Sequence, residues 1–354
     1  MHNLGIIEGY FGRCWSWDER AAVVDRLAPV GYRFFHYAPK LEAKLRRAWQ
    51  IPFDRHELEE LERFASHCRG KGVRFGVGLT PFGAHLSFDL EAKEALRNKL
   101  AQLDEIGLVD HALLFDDMDG DIPDLARRQA EIMAFVLDHS RAERHFMCPS
   151  YYSDDPVLDR VFGKRPEAYL GDLGRLIDRD VAVYWTGEEV CSREYSKGHL
   201  DDVADRLGRR PALWDNYPVN DGPRMSTHLH LRAFTGRHAD LEHLVTHHAI
   251  NPMSQPLLGC IAALTLPMAY REGPLYAYGK ALKSAAETVC GSELADMILA
   301  NHLTFNDSGL ERLGDETKAK LLAKYGAVDH PVAREICDWL RGGFAITGEM
   351  LQTQ

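Results

Sequence analysis

The sequence predicts an α/β fold: a (β/α)8 TIM-type barrel with a small C-terminal helical appendage. Strand-like segments alternate with helical ones about eight times over roughly 270 residues, the order and length of such a barrel. The apolar run Leu113-Leu114-Phe115 is typical of a parallel strand buried on both faces. A doubly wound sheet is the alternative, but no Gly-x-Gly-x-x-Gly motif follows the first strand to support a dinucleotide site.

The order of the segments brings the strands into parallel pairs through right-handed crossovers. The helix at 54–69 has clear signals: Asp54 and Glu57 form a capping box at its start, and Leu61 and Phe64 share one face. The predicted strands are residues 5–8, 33–37, 73–77, 113–115, 144–148, 181–185, 211–214 and 257–262. The predicted helices between the first five strands are residues 18–28, 54–69, 89–106 and 127–139.

The last part of the chain has a helical pattern without clear strands. Helices are predicted at residues 281–289, 293–299, 317–325 and 331–340. We therefore divide the chain into a barrel over residues 1–274 and a helical appendage over residues 275–354, packed on the barrel or used in assembly. The chain of 354 residues, 45% of them hydrophobic, is long enough for this arrangement.

Composition excludes several classes of protein. The net charge of −11 and the lack of a dense Lys/Arg stripe argue against a nucleic-acid partner. The 7 cysteines are scattered without a Cys-x-x-Cys motif, which is typical of reduced thiols rather than of disulfides or a zinc site. The first residues lack a basic and then apolar pattern, so we expect no secretory leader, and no apolar run is long enough to span a membrane. We expect a soluble, cytoplasmic protein, and the oligomeric state stays open.

Two adjacent carboxylates, Asp116 and Asp117, follow the fourth predicted strand. Barrel enzymes hold their active sites at this end of their strands, and burying an unpaired carboxylate costs several kcal/mol. A lone pair of this kind is also explained by one residue capping a helix while the other faces water. The other strand ends favour a site, because acids, amides, a lysine and aromatic residues follow them too. Such a mixture suits a neutral, hydroxyl-rich ligand, whose hydroxyls bond to carboxylates and amides.

The motifs at these strand ends resemble the catalytic barrel of the family 84 glycoside hydrolases, which includes O-GlcNAcases and bacterial β-N-acetylglucosaminidases. The resemblance covers about residues 4–270. It implies a (β/α)8 barrel that hydrolyses terminal β-linked N-acetylglucosamine, on a glycoside or glycoprotein, with retention and without a metal or cofactor. The motifs are Ile7-Glu8-Gly9-Tyr10-Phe11-Gly12, Tyr37-Ala38-Pro39-Lys40, Leu114-Phe115-Asp116-Asp117, Cys148-Pro149-Ser150-Tyr151-Tyr152, Trp185-Thr186-Gly187, Trp214-Asp215-Asn216 and Asn220-Asp221.

The resemblance also implies roles for single residues. Asp116 would orient and polarise the 2-acetamido group of the substrate, and Asp117 would act as general acid and then as general base. Substrate-binding roles are implied for Gly9 (through its backbone), Lys40, Tyr152 (near the acetamido group), Trp214 (lining the pocket), Asn216, Asp221 and Asn251.

Two departures from the family pattern stand out. Lys40 is followed by Leu41-Glu42, where the family usually has two acidic residues, and Tyr10-Phe11 inverts the usual order. The first departure lies at the mouth of the site, so it affects the expected aglycone preference more than the expected chemistry.

The residues themselves agree with a substrate-assisted mechanism. Adjacent side chains leave a strand in opposite directions, so Asp116 and Asp117 cannot flank a glycosidic bond as ordinary retaining pairs do. At a strand end both can still reach one sugar, whose acetamido group then serves as the nucleophile. The charge of one Asp would raise the pKa of the other, which would then protonate the leaving group.

Three alternatives remain open at this point. A metal-dependent hydrolase would use His228, His230, His247 and His248 as ligands. A non-catalytic sugar-binding barrel, or one specific for another glycoside such as hyaluronan, would need most of the same residues. A related acyl transferase or transglycosylase would share them as well.

Overall fold

The computed structural model describes residues 3–346 and shows a closed barrel of eight parallel strands. Each strand pairs with the next in chain order, and the last pairs with the first, Leu4 lying opposite His248. The strands are β1 (Leu4–Glu8), β2 (Tyr32–Tyr37), β3 (Arg74–Leu79), β4 (Asp110–Leu114), β5 (Arg144–Cys148), β6 (Ala182–Trp185), β7 (Ala212–Asp215) and β8 (His248–Ile250). The predicted fold class is confirmed.

Helices cover the outside of the barrel and follow the predicted alternation. At α2 the expected capping box is present, with Glu57 N–H donating to Asp54 Oδ1 (3.0 Å) and Asp54 N–H donating to Glu57 Oε2 (2.7 Å). The helices up to the eighth strand are α1 (Trp17–Leu27), α2 (Arg55–Gly70), α3 (Leu90–Glu105), α4 (Leu125–His139), α5 (Pro156–Phe162), α6 (Tyr169–Leu176), α7 (Lys197–Leu207) and α8 (Leu241–Leu244).

The prediction of the eighth strand at residues 257–262 is wrong. These residues lie in α9 (Pro256–Glu272), and the eighth strand is the three-residue segment β8 before it. Nearly every residue in the first half of α9 is buried, because the helix packs against both α1 and the C-terminal helices. A continuous apolar run does not distinguish a buried strand from a helix that is buried all round. Pro256 at the first helical position was the signal for a helix.

The C-terminal helices are α10 (Tyr278–Ala300), α11 (Asp315–Gly326) and α12 (Pro331–Leu340). The two helices predicted at 281–289 and 293–299 are the two halves of α10, which is interrupted at Gly291 (φ 77°, ψ 164°). Both α10 and α12 pack against α9, and their buried residues continue the core of the barrel. The division of the chain at residue 275 stays a prediction.

A polar network fills part of the barrel interior. His36 Nε2 lies 3.1 Å from Asp110 Oδ2, and Arg74 Nε donates to the same carboxylate at 3.1 Å. The Tyr184 hydroxyl lies 2.7 Å from His36 Nδ1, and its ring packs edge-on against Trp214. This network therefore supports the floor of the pocket described below. Within residues 3–346, no helix is both long and apolar enough to cross a membrane.

Candidate active site

A cavity of about 240 Å³ opens at the carboxyl ends of the barrel strands. The sequence could place the predicted site residues only at separate strand ends, and closure of the barrel brings those ends together. All the predicted site residues line this one cavity: Gly9, Lys40, Asp116, Asp117, Tyr152, Trp214, Asn216, Asp221 and Asn251. Asn251, expected before the eighth strand, lies directly after β8.

Asp116 and Asp117 reach the cavity because the chain turns sharply after β4. Asp117 is the one non-glycine residue with a positive φ (57°) among those described, which brings its side chain to the same side as that of Asp116. Backbone strain of this kind costs about 1–3 kcal/mol and is concentrated at functional sites. The turn thus removes the opposite directions that two neighbours have along a regular strand.

The two carboxylates have different environments. Asp116 is buried and forms an ion pair with Lys40, whose Nζ lies 4.0 Å from the nearer oxygen of Asp117. The second oxygen of Asp116, Oδ1, is buried and has no hydrogen-bond partner among the residues described. An unsatisfied buried carboxylate oxygen is costly. Asp116 therefore presents an acceptor that a donor on a ligand would satisfy.

Asp117 is the carboxyl group suited to carry a proton. Burial and, to a smaller extent, the charge of Asp116 raise its pKa, although Lys40 opposes the shift. The Tyr152 hydroxyl donates to Asp117 Oδ1 at 3.1 Å, and Arg46 Nη2 donates to its backbone oxygen at 3.1 Å. These contacts hold the Asp117 carboxyl in place. Two neighbouring carboxyl groups with unlike environments can serve as a base-like and an acid-like group in one site.

Amides connect the other side of the pocket. Asn251 Oδ1 accepts from Gly9 N–H (3.2 Å), and Asn251 Nδ2 donates to Asn216 Oδ1 (3.0 Å). Asn216 Oδ1 also accepts from Trp214 Nε1 (3.0 Å). At Gly9 a Cβ atom would lie 2.3 Å from Cζ2 of Trp214, so only glycine allows this close approach. The chain of contacts links β1, β7 and β8 around the pocket.

Asp221 completes this polar side. Its Oδ2 accepts a hydrogen bond from Phe11 N–H at 3.1 Å, which connects the loop after β7 to the loop after β1. Burial raises the pKa of Asp221 to about 6. The group is therefore mostly ionised at neutral pH and can accept hydrogen bonds from hydroxyl groups.

The sequence of this chain matches a known protein family. The profile of a family described as beta-N-acetylglucosaminidase matches residues 4–301. The chain belongs to this family. The match confirms the resemblance found in the sequence motifs.

The relatives match this beta-N-acetylglucosaminidase family member over different shares of their own length. Protein O-GlcNAcase of Mus musculus is 28% identical over 248 residues, and that of Rattus norvegicus is equally so. The alignment includes 67% of this chain but only 26% of those proteins, so the chain spans about a quarter of the length of the curated relatives it matches. A mutant of the O-GlcNAc hydrolase of Thermobaculum terrenum superposes with a TM-score of 0.79 at 25% identity, over 96% of this chain and 80% of that one.

One wall of the family member's pocket was not predicted from the sequence. The loop after β6 contributes Val190 and Cys191, and Val219 and Gly222 come from the loop after β7. None of these residues carries a charge or belongs to a motif quoted above; Val190 and Cys191 follow Trp185-Thr186-Gly187, and Val219 and Gly222 flank Asn220-Asp221. Phe11 and Cys148 were part of quoted motifs without being named as site residues, and both line the cavity.

The two departures from the family pattern have structural explanations. Glu42 accepts from Lys44 N–H (3.2 Å) and from the Tyr37 hydroxyl (3.3 Å), so it caps a short turn and does not line the cavity. The order Tyr10-Phe11 directs Phe11 to the pocket, while Tyr10 is buried and donates to Arg13 O.

The histidines of the metal-dependent alternative do not converge. His248 lies between Asp215 and Tyr270 outside the barrel, whereas His247 packs on Phe34 and Phe146 within it. His230 stacks on Tyr217. In the described part of the chain, no group of three or more His, Cys, Asp or Glu side chains is placed to hold a metal ion.

Proposed function

We propose that the protein is a retaining β-N-acetylglucosaminidase that hydrolyses terminal β-linked N-acetylglucosamine by substrate-assisted catalysis. The observation that carries this proposal is the unequal pair in the pocket: Asp116, paired with Lys40 and with one unsatisfied oxygen, beside Asp117, whose pKa is raised. The turn after β4 directs both side chains into the same cavity, so they reach the sugar from one side. An enzyme carboxylate on the opposite face, as in ordinary retaining glycosidases, is then replaced by the acetamido group of the substrate.

In the first step, the acetamido N–H of the substrate donates to Asp116 Oδ1. This contact satisfies the buried oxygen and directs the acetamido carbonyl oxygen at the anomeric carbon. A bond forms between that oxygen and the anomeric carbon while the bond to the aglycone oxygen breaks. Asp117 gives its proton to the leaving oxygen, so the aglycone leaves as a neutral alcohol.

In the second step, Asp117 accepts a proton from water, whose oxygen attacks the anomeric carbon. The bond to the acetamido oxygen breaks, and N-acetylglucosamine is released with its original configuration. Asp117 is thereby protonated again for the next cycle. The negative charge of Asp116 stabilises the positive charge that develops on the cyclic intermediate.

The distribution of polar groups indicates how the sugar lies. Asp221, Asn216, Asn251 and the Gly9 carbonyl, with Lys40 beside them, come from β7, β8, β1 and β2, and we assign them to the hydroxyl groups. Cys148 and the loop after β6 form the less polar side, which we assign to the acetyl methyl group. The Trp214 indole, held by Asn216, would form the floor beneath the sugar ring.

The relatives support the substrate class. Those of mouse and rat are named as protein O-GlcNAcases, and the Thermobaculum protein as an O-GlcNAc hydrolase. We therefore propose a glycoside or glycoprotein that carries N-acetylglucosamine as the substrate. A cytoplasmic location is also proposed, and the free thiols of all the cysteines are in keeping with a reducing compartment.

The decisive experiment varies the nucleophile while the enzyme stays unchanged. Fluorine on the acetyl group withdraws electrons from the acetamido oxygen, so kcat/KM should fall steeply and monotonically from acetyl to mono-, di- and trifluoroacetyl aryl glycosides. The same fall is expected in Asp116→Asn. A thiazoline analogue of the sugar should inhibit strongly, because it resembles the cyclic intermediate.

Three results would contradict the proposal. A flat fluorine series would exclude attack by the acetamido group. Isolation of the sugar covalently bound to Asp116 or Asp117 would assign the nucleophile to the enzyme. Binding of the sugar without turnover of an aryl β-N-acetylglucosaminide would favour the non-catalytic barrel.

A further inference from the structure

The pocket wall that comes from the loop after β6 is held from behind by one arginine. Arg237 is buried and does not line the cavity. Its Nε and Nη2 donate to Asp215 at 2.8 and 2.6 Å, and Nη2 also donates to Ser192 O at 2.9 Å. Its Nη1 donates to the carbonyl oxygens of Arg193 and Thr235. All the N–H donors of the guanidinium are therefore used.

These contacts join two parts of the pocket. Asp215 is the last residue of β7, between Trp214 and Asn216, and it also contacts His248 Nε2 at 2.9 Å. The loop is anchored to the same strand end from the front, where Asn216 Nδ2 donates to Val190 O at 2.9 Å. The position of the wall thus depends on Arg237 as well as on Asn216.

The wall forms part of the less polar side of the pocket. Thr186 and Val190 follow β6, the neighbour of the strand β5 that ends at Cys148, whereas Gly9, Asp221 and Asn251 follow β1, β7 and β8. We propose that Arg237 is a positioning residue that holds the loop at residues 187–193 and so limits the length of the N-acyl group that the pocket accepts. This inference rests on the proposed function, since it needs the acyl group on this side.

The test compares aryl 2-acylamido-2-deoxy-β-glucosides that carry acetyl, propanoyl and butanoyl groups. Arg237→Lys keeps a positive charge beside Asp215, but a lysine ammonium lacks the planar fork that reaches both the carboxylate and the loop carbonyls. We expect the ratio of kcat/KM for acetyl over butanoyl substrate to fall at least tenfold, with most of the change in KM.

A second variant moves the loop while Arg237 itself stays unchanged. At Gly236 (φ +70°) a Cβ atom would lie 2.5 Å from the carbonyl oxygen of Arg193, so Gly236→Ala should push the loop away from Arg237 and lower the acyl ratio as well. If Arg237→Lys does not fold, Gly236→Ala provides the test of whether the position of the loop limits the acyl group. Val190→Ala shortens the wall directly and should lower the ratio too.

Arg20→Lys is the matched control. Arg20 makes the same kind of buried, two-point contact with Glu8, at the end of β1, but it touches no carbonyl of this loop. It should lower the melting temperature and leave the acyl ratio unchanged. An unaltered ratio in folded Arg237→Lys and Gly236→Ala would overturn the inference, as would an unaltered ratio in Val190→Ala or an equal change in Arg20→Lys. Failure of the proposed function is a different result: the wild-type protein then does not hydrolyse the acetyl substrate at all.

Discussion

Replacement of Asp221 is the sharpest test of the polar side of the pocket. The Asp221 carboxylate accepts one hydrogen bond from Phe11 N–H and has further lone pairs that can accept from two sugar hydroxyls. Hydrogen bonds to a charged group contribute about 1.5–3 kcal/mol each. Loss of two such bonds corresponds to roughly 100-fold or more in kcat/KM. We therefore expect Asp221→Ala to lower kcat/KM by at least about 100-fold.

Removal of the Asp221 charge should increase the stability of the folded protein at neutral pH, although it lowers kcat/KM. The pKa of Asp221 is raised to about 6 by burial, so the ionised group destabilises the folded state. A raised acid pKa means that the contribution to stability is fully present below the unfolded-state pKa and is lost as the pH rises through about 6. Asp221→Asn, which cannot ionise, should therefore be as stable as wild type at pH 4 and more stable at pH 7, by up to about 3 kcal/mol.

The assay combines kinetics on an aryl β-N-acetylglucosaminide with unfolding at both pH values. In wild type, kcat/KM should decline as the pH falls below about 6, because protonated Asp221 loses an acceptor. Asp221→Asn should lack this component of the decline. Wild-type kinetics in a folded Asp221 variant would remove the residue from the site. A lower melting temperature with unchanged kinetics would instead assign it to the turn alone.

Other predictions concern the two acids, the floor of the pocket and the C-terminal helices. Asp117→Ala should slow hydrolysis of an alkyl glycoside far more than that of an activated aryl glycoside, whereas Asp116→Ala should slow both; equal leaving-group sensitivity would refute this division. Gly9→Ala should displace the Trp214 indole and lower kcat/KM about tenfold or more, while Gly279→Ala, where a Cβ atom meets nothing within 4 Å, should not. Glu335 on α12 accepts from Leu257 and Leu258 N–H at the start of α9, and burial raises its pKa to about 7. The contribution of Glu335 to the free energy of unfolding should therefore be lost as the pH rises from about 4.5 to 7. Denaturant titrations of Glu335→Gln should lack this pH dependence.

Much of the fold could be predicted because each barrel unit has a local signal. Seven of the predicted strands overlap observed ones, since a strand covered on both faces needs a continuous apolar run. The start of β4 was missed because it consists of Asp110 and His111. Asp110 is buried inside the barrel only because Arg74 and His36, distant in the sequence, pair with it. The short β8 was missed because its His-Ala-Ile sequence carries less apolar signal than α9 behind it.

The order of residues along the chain is enough to predict which chemical groups follow the strands, and the barrel topology implies that the strand ends meet at one rim. What each group can do there depends on its neighbours in the folded protein. Asp116 and Asp117 are the same residue type side by side, yet Lys40 pairs with one, and burial raises the pKa of the other. The wall after β6 and its anchor Arg237 likewise carry no local motif. Ion pairing, burial and pKa depend on distances between groups far apart in the chain, and those distances are set when the barrel closes.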